Sequence, residues 1–85
     1  MSKTSLKTEL PKVDKFVDCK GFLCPIPTLR ARKYLAEIET GEVLCLEATD
    51  KKSILDMPKF CEEQGHNYLL CQQIGDVIMH FIKKA

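Results

Sequence analysis

The 85-residue chain has no tryptophan, and its aromatic content is only 7%. With Phe 4 and Tyr 2, it lacks the interleaved aromatic and basic surface expected of a single-strand nucleic-acid binder. No charge sign dominates. Lys and Arg number 13, Asp and Glu 12, and the formal net charge is +1. Composition therefore argues against strong polyanion binding. No apolar run approaches the length of a membrane-crossing helix. The opening Met1-Ser2-Lys3-Thr4-Ser5 leads into no apolar segment of the kind found in export signals, so a cytoplasmic protein with reduced thiols is expected. No two of its five cysteines stand in Cys-x-x-Cys spacing, so neither a structural metal nor a dithiol redox motif is expected. No membrane partner and no cofactor are expected either.

What remains is one small domain. Hydrophobic residues make up 45% of the chain, too many for a disordered one. Residues 1–12 are mostly polar and read as a flexible arm, leaving residues 13–85 as a single domain. Val13 to Cys19 reads as a strand. Pro25 to Glu39 reads as a helix, because Ala31, Tyr34, Leu35 and Ile38 recur at one-face spacing, with Gly41 at its end. Val43 to Ala48 is nearly all apolar and predicts a buried strand. A second helix runs to Gln64, capped by Asp50 or Ser53, and Ser53-Ile54-Leu55-Asp56 fits a capping box. Pro58 implies that this helix starts near Asp56 or has an irregular first turn. Tyr68–Ile74 and Val77–Ile82 form a hairpin around Gly75-Asp76. The predicted architecture is an α/β two-layer sandwich of order β-α-β-α-β-β. It has a four-stranded mixed sheet and two helices on one face.

Cys24-Pro25-Ile26-Pro27 carries the most chemistry. Proline is tolerated in a first helical turn, where N–H groups lack intrahelical partners. A helix N-terminus favours a thiolate, so a lowered Cys24 pKa is expected, moderated by the two missing N–H donors. The position three residues after Cys24 is Pro27, so no resolving cysteine follows it. Such a thiol can accept a sulfur atom, hold it as a persulfide and pass it on. Taken alone, a cysteine before a helix is also often just a small apolar residue.

The motif resembles that of the TusA/SirA-type sulfur carrier family. The matching residues are Asp18, Gly21, Leu23, Cys24, Pro25 and Pro27, then Gly41-Glu42, Ala48-Thr49-Asp50 and Asp56-Met57-Pro58. Phe60-Cys61, Gly65-His66 and Ile82-Lys83 complete the set. The resemblance implies that Cys24 relays persulfide sulfur from a cysteine desulfurase or rhodanese to an acceptor protein, for tRNA thiolation, sulfur oxidation or cofactor assembly. It implies Asp18, Asp50 and Asp56 as support, although helix capping also accounts for the last two. Two other classes stay open. One is a regulatory or RNA- or protein-binding module without sulfur transfer. The other is a redox sensor pairing Cys19 with Cys24, although disulfide geometry is demanding.

Arg30, Arg32 and Lys33 form a basic cluster beyond Cys24, extended by Lys20. It is either a solvated helix face or a docking surface for an acidic partner. Cys45, Cys61 and Cys71 read as core. His66 reads as a turn residue. His80 should point away from Met79 and Phe81.

Overall fold

The computed structural model describes residues 10–85. The expected arm lies largely outside them. Leu10 to Lys12 lead in without regular structure. The elements are β1 (Lys15–Cys19), α1 (Ile26–Leu35), β2 (Val43–Ala48), α2 (Ser53–Gln64), β3 (Asn67–Ile74) and β4 (Val77–Lys83). The strand order is β1-β2-β4-β3. β1 pairs parallel with β2, while β4 lies antiparallel to both β2 and β3. This is the mixed sheet with two helices read from the pattern.

The core explains the layering. Val17, Leu44, Leu46 and Ile82 on the strands meet Ala31 and Leu35 of α1 and Met57, Phe60 and Cys61 of α2. β2 is buried at five of its six positions, which accounts for its nearly unbroken apolar run. His80 points to this helix-facing side, as its alternation with Met79 and Phe81 implies, and is fully buried.

Several boundaries differ from the pattern. β1 starts at Lys15, not Val13. Asp14 instead brackets β2 from outside, its N–H bonding the Val43 carbonyl and its carboxylate accepting the Val43 N–H. α1 closes at Leu35, and Ile38 packs on the core from the turn beyond it. Gly41, at φ 91°, therefore serves the turn into β2 and not the end of α1. α2 is regular from Ser53, with Pro58 inside it. The donor missing at Pro58 leaves only the Ile54 carbonyl, on an exposed first turn that water can reach. The predicted capping box does not form. Lys52 occupies the cap position and no side chain caps it. Ser53 and Asp56 are engaged elsewhere. Cys71 is exposed rather than core, because β3 is an edge strand. Gly65, at φ 82°, ends α2 with the His66 N–H on the Cys61 carbonyl, so His66 does shape that turn.

Candidate functional site

Cys24 is exposed in the loop between β1 and α1. That loop is tied down from both ends. At its base the Lys20 N–H bonds Asp18 Oδ1 at 2.9 Å, and Lys20 Nζ meets Glu47 at 2.8 Å and Asp18 at 3.2 Å. Gly21, at φ 85°, turns the chain so that its N–H reaches Thr49 Oγ1 at 2.9 Å. At its far end the Cys24 N–H bonds Asp50 Oδ2 at 2.8 Å, and Asp50 Oδ1 accepts the Lys52 N–H at 3.1 Å. Asp50 thus joins the reactive loop to the start of α2. Pro27 is buried and anchors the first turn of α1. The Cys24-Pro25 peptide bond is cis.

The thiol itself donates to a carboxylate. Cys24 Sγ lies 2.8 Å from Asp56 Oδ2. This bond holds the proton on sulfur and raises the Cys24 pKa; desolvation adds to it, and Lys52 offsets it in part. The expected lowering is therefore corrected. Proline has removed N–H donors from the turn, and the nearest strong group is an anion. Asp50 moves the other way, its carboxyl held low by the N–H groups of Cys24 and Lys52.

Asp56→Asn removes the anion that holds the thiol proton. The Cys24 titration should move to lower pH, and alkylation by iodoacetamide at neutral pH should speed up. An unchanged rate profile would mean that the carboxylate does not govern the thiol.

The structure brings Cys24, Pro27, Asp50 and Asp56 around one crevice that also takes in Thr28 and Ser53 and has no room for a water molecule. Beside it lies an open groove of ≈ 260 Å³, lined by Cys24, Thr28, Asp56, Lys59, Phe60 and Glu63. Asp18 is not at the thiol; it braces the loop through Lys20, and the Lys20 N–H holds its carboxyl below the usual range. Thr49, Glu47, Ser53 and Lys59 were not singled out from sequence as site residues. Their roles depend on packing between segments distant in the chain, for which no local signal exists.

The basic residues are only partly gathered, with Arg30 and Lys33 sharing the Tyr34 ring. Arg30 lies over the rings of Phe22 and Tyr34, at 5.4 and 5.5 Å, and its buried Nε has no hydrogen-bond partner among the described residues. Lys33 sits over Tyr34 at 5.2 Å. Arg32 is two positions from Arg30, so the two cannot share a helix face. Lys20 is already paired. All five cysteines are free thiols. Cys19, at the end of β1, is buried, and burial pushes its thiol up. Cys45 and Cys61 are pushed up to about 11 in the same way. Among the described residues no His, Cys, Asp and Glu group is arranged to hold a metal, and no helix is long and apolar enough to cross a membrane.

The family model for sulfurtransferase TusA matches residues 15–84. The chain belongs to the TusA family. The TusA match takes in the whole sheet, both helices and the Cys24 loop. The Bacillus subtilis protein YrkF is 37% identical over 69 residues, 81% of this chain, and this chain spans 37% of its length. The sulfur carrier protein TusA of Allochromatium vinosum is 35% identical over 72 residues, covering 85% of this chain and 95% of the relative. A crystal structure of a SirA-like protein from Desulfitobacterium hafniense superposes with a TM-score of 0.72 at 31% identity, covering 81% of this chain and 95% of that one. Membership of the TusA family supports a role in carrying sulfur.

Proposed function

We propose that the protein relays sulfur as a persulfide on Cys24, taking it from a donor protein and delivering it to an acceptor protein. The observation that carries this reading is the exposed Cys24 thiol hydrogen-bonded to Asp56 on a braced loop, with no other cysteine lining its crevice or groove. In the loading step the Cys24 thiol releases its proton to solvent. The Cys24 thiolate attacks the outer sulfur of the donor persulfide. The donor's S–S bond breaks, its inner sulfur leaves as a thiolate, and a new S–S bond forms on Cys24. Unloading is the same displacement run toward an acceptor thiolate, after which Cys24 regains its proton. The two-electron bookkeeping closes without any added oxidant.

The crevice around Asp50 is too tight for another atom the size of sulfur, so the outer sulfur occupies the groove. Lys59 lines that groove and supplies a cation for a persulfide anion. A reducing compartment such as the cytoplasm suits this chemistry. The test is incubation with a cysteine desulfurase and cysteine, followed by non-reducing intact mass spectrometry. A gain of one sulfur, removed by reductant, is expected. No gain with either a desulfurase or a rhodanese would end the carrier reading.

The partner's route is apolar. Phe22, Leu23, Ile26 and Leu29, all within five positions of Cys24 in the chain, are exposed, as are Ile54 and Leu55 in the first turn of α2; Leu23 and Leu55 are 71% and 77% exposed. The loop-base cation Lys20 is taken up by Asp18 and Glu47, and Arg30 is held by its rings. Hydrophobic contact therefore outweighs the basic residues in docking. Leu23→Ser with Leu55→Ser should slow transfer from a protein donor by roughly tenfold, equivalent to about 1.4 kcal/mol, while loading by inorganic polysulfide stays unchanged. Arg32→Glu with Lys33→Glu should change the protein-donor rate only at low salt. The reverse ranking would restore an electrostatic docking surface.

A further inference from the structure

His80 is fully buried on β4, the strand flanked by β2 and β3, and both of its ring nitrogens are engaged. Nε2 lies 2.9 Å from Ser53 Oγ, and Nδ1 lies 2.6 Å from Tyr68 Oη. A neutral imidazole offers one donor and one acceptor, so the two hydroxyls take opposite roles. The carrier chemistry uses none of these three side chains.

Their place in the chain gives them a consequence at the thiol. Ser53 is the first residue of α2 and is 3% exposed. It stands three residues after Asp50 and three before Asp56, the two carboxylates bonded to Cys24. The start of α2 has no side-chain cap. Asp50 joins that turn to the Cys24 loop, which is itself held through Asp50. Ser53 is the side chain that ties the same turn to the sheet, through His80.

We propose that His80 is a positioning residue for the Cys24 site: through Ser53 it fastens the first turn of α2 to the sheet and so fixes Asp56 beside the thiol. Tyr68 holds the far side of the ring and sets its orientation. The proposal rests on the carrier reading only for its importance to transfer, because its test reads the thiol directly.

The test follows the rate of Cys24 alkylation by iodoacetamide against pH, in a Cys71→Ser background so that Cys24 is the one exposed thiol. The groups acting on the Cys24 thiol are Asp56 and Asp50, with Lys52 opposing them; Lys59 and Glu63 lie across the groove. Ser53→Ala deletes one hydroxyl and His80→Phe deletes both bonds with similar volume. Each should move the alkylation midpoint to lower pH by roughly half or more of the displacement produced by Asp56→Asn. Combining Ser53→Ala with Asp56→Asn should add nothing further, since both act through one carboxylate. Tyr68→Phe leaves the Ser53 bond in place and should shift the midpoint least. A role confined to stability would lower the urea midpoint and leave the alkylation profile where it was, and that result would overturn the proposal. So would full additivity in the double variant. If His80→Phe does not fold, Ser53→Ala decides alone, because it removes a single oxygen from a helix terminus.

Discussion

Cys24→Ser is expected to abolish loading completely, with no sulfur gained from a desulfurase under conditions that load the wild-type chain in full. The other four cysteines do not take over. Cys19, Cys45 and Cys61 are buried, and burial pushes all three thiols up, so at neutral pH they are both protonated and inaccessible. Cys71 is exposed, but it sits on the edge strand β3 with no carboxylate bonded to it among the described residues and takes no part in lining the groove. Cys71→Ser should therefore load like wild type. Cys24→Asp would keep a negative group at the loop but provide no nucleophilic sulfur, and should be equally inert. Loading that survives Cys24→Ser and disappears only when Cys71 is also replaced would move the carrier function to β3 and detach it from the Asp56 site. Intact mass after desulfurase treatment of the two single variants and the double variant separates these outcomes.

How much of this was legible without coordinates depends on the range of the interaction. The order of elements followed from period alone. Ala31, Tyr34 and Leu35 mark a helix, the Val43–Ala48 run marks a covered strand, and Gly75-Asp76 marks a hairpin, all within short windows. Boundaries were less legible. Ile38 continues the apolar stripe of α1 and packs on the same core, yet the backbone has already left the helix, so periodicity overshoots. At the site, Cys24 announces itself by its two prolines. The sign of its pKa does not. A local view sees a helix start and expects a thiolate, whereas the group that decides, Asp56, comes from 32 residues away. Ser53 shows the same limitation. The Ser53–Asp56 spacing satisfies a capping rule, but in the folded chain each side chain has a stronger partner, His80 for one and Cys24 for the other. Local rules describe what a residue can do when nothing else is near, and at a functional site something else is near.

The buried His80 makes folding stability depend on pH in a window where few other groups titrate. Desolvation lowers its pKa from 6.5 to about 4 in the folded chain. In the unfolded chain the ring takes a proton near 6.5, so between these two values the unfolded state binds more protons than the folded one. Stability then rises with pH across the window. The contribution is present in full above pH 6.5. It is lost as pH falls from there toward 4, below which both states are protonated and the slope vanishes. From neutral pH to about pH 5 the loss is about 2 kcal/mol, and it approaches about 3 kcal/mol near pH 4. That is a large share of the stability of a domain this small, which lies within roughly 5–15 kcal/mol. The low pKa values of Asp18 and Asp50 push in the same direction, but only once pH nears the ordinary carboxylate range, so the upper half of the window belongs to the histidines. His66 is also depressed and leaves a residual slope. Urea unfolding followed by circular dichroism, since the chain has no tryptophan to report by fluorescence, should show the wild-type midpoint falling steadily from pH 7 to pH 5. His80→Phe begins from a lower midpoint, having lost the bonds to Ser53 and Tyr68, but its midpoint should stay nearly flat over the same range. Parallel slopes in the two proteins would mean that His80 is protonated in the folded chain, in which case one ring nitrogen could no longer accept from a hydroxyl and both Ser53 and Tyr68 would have to act as acceptors.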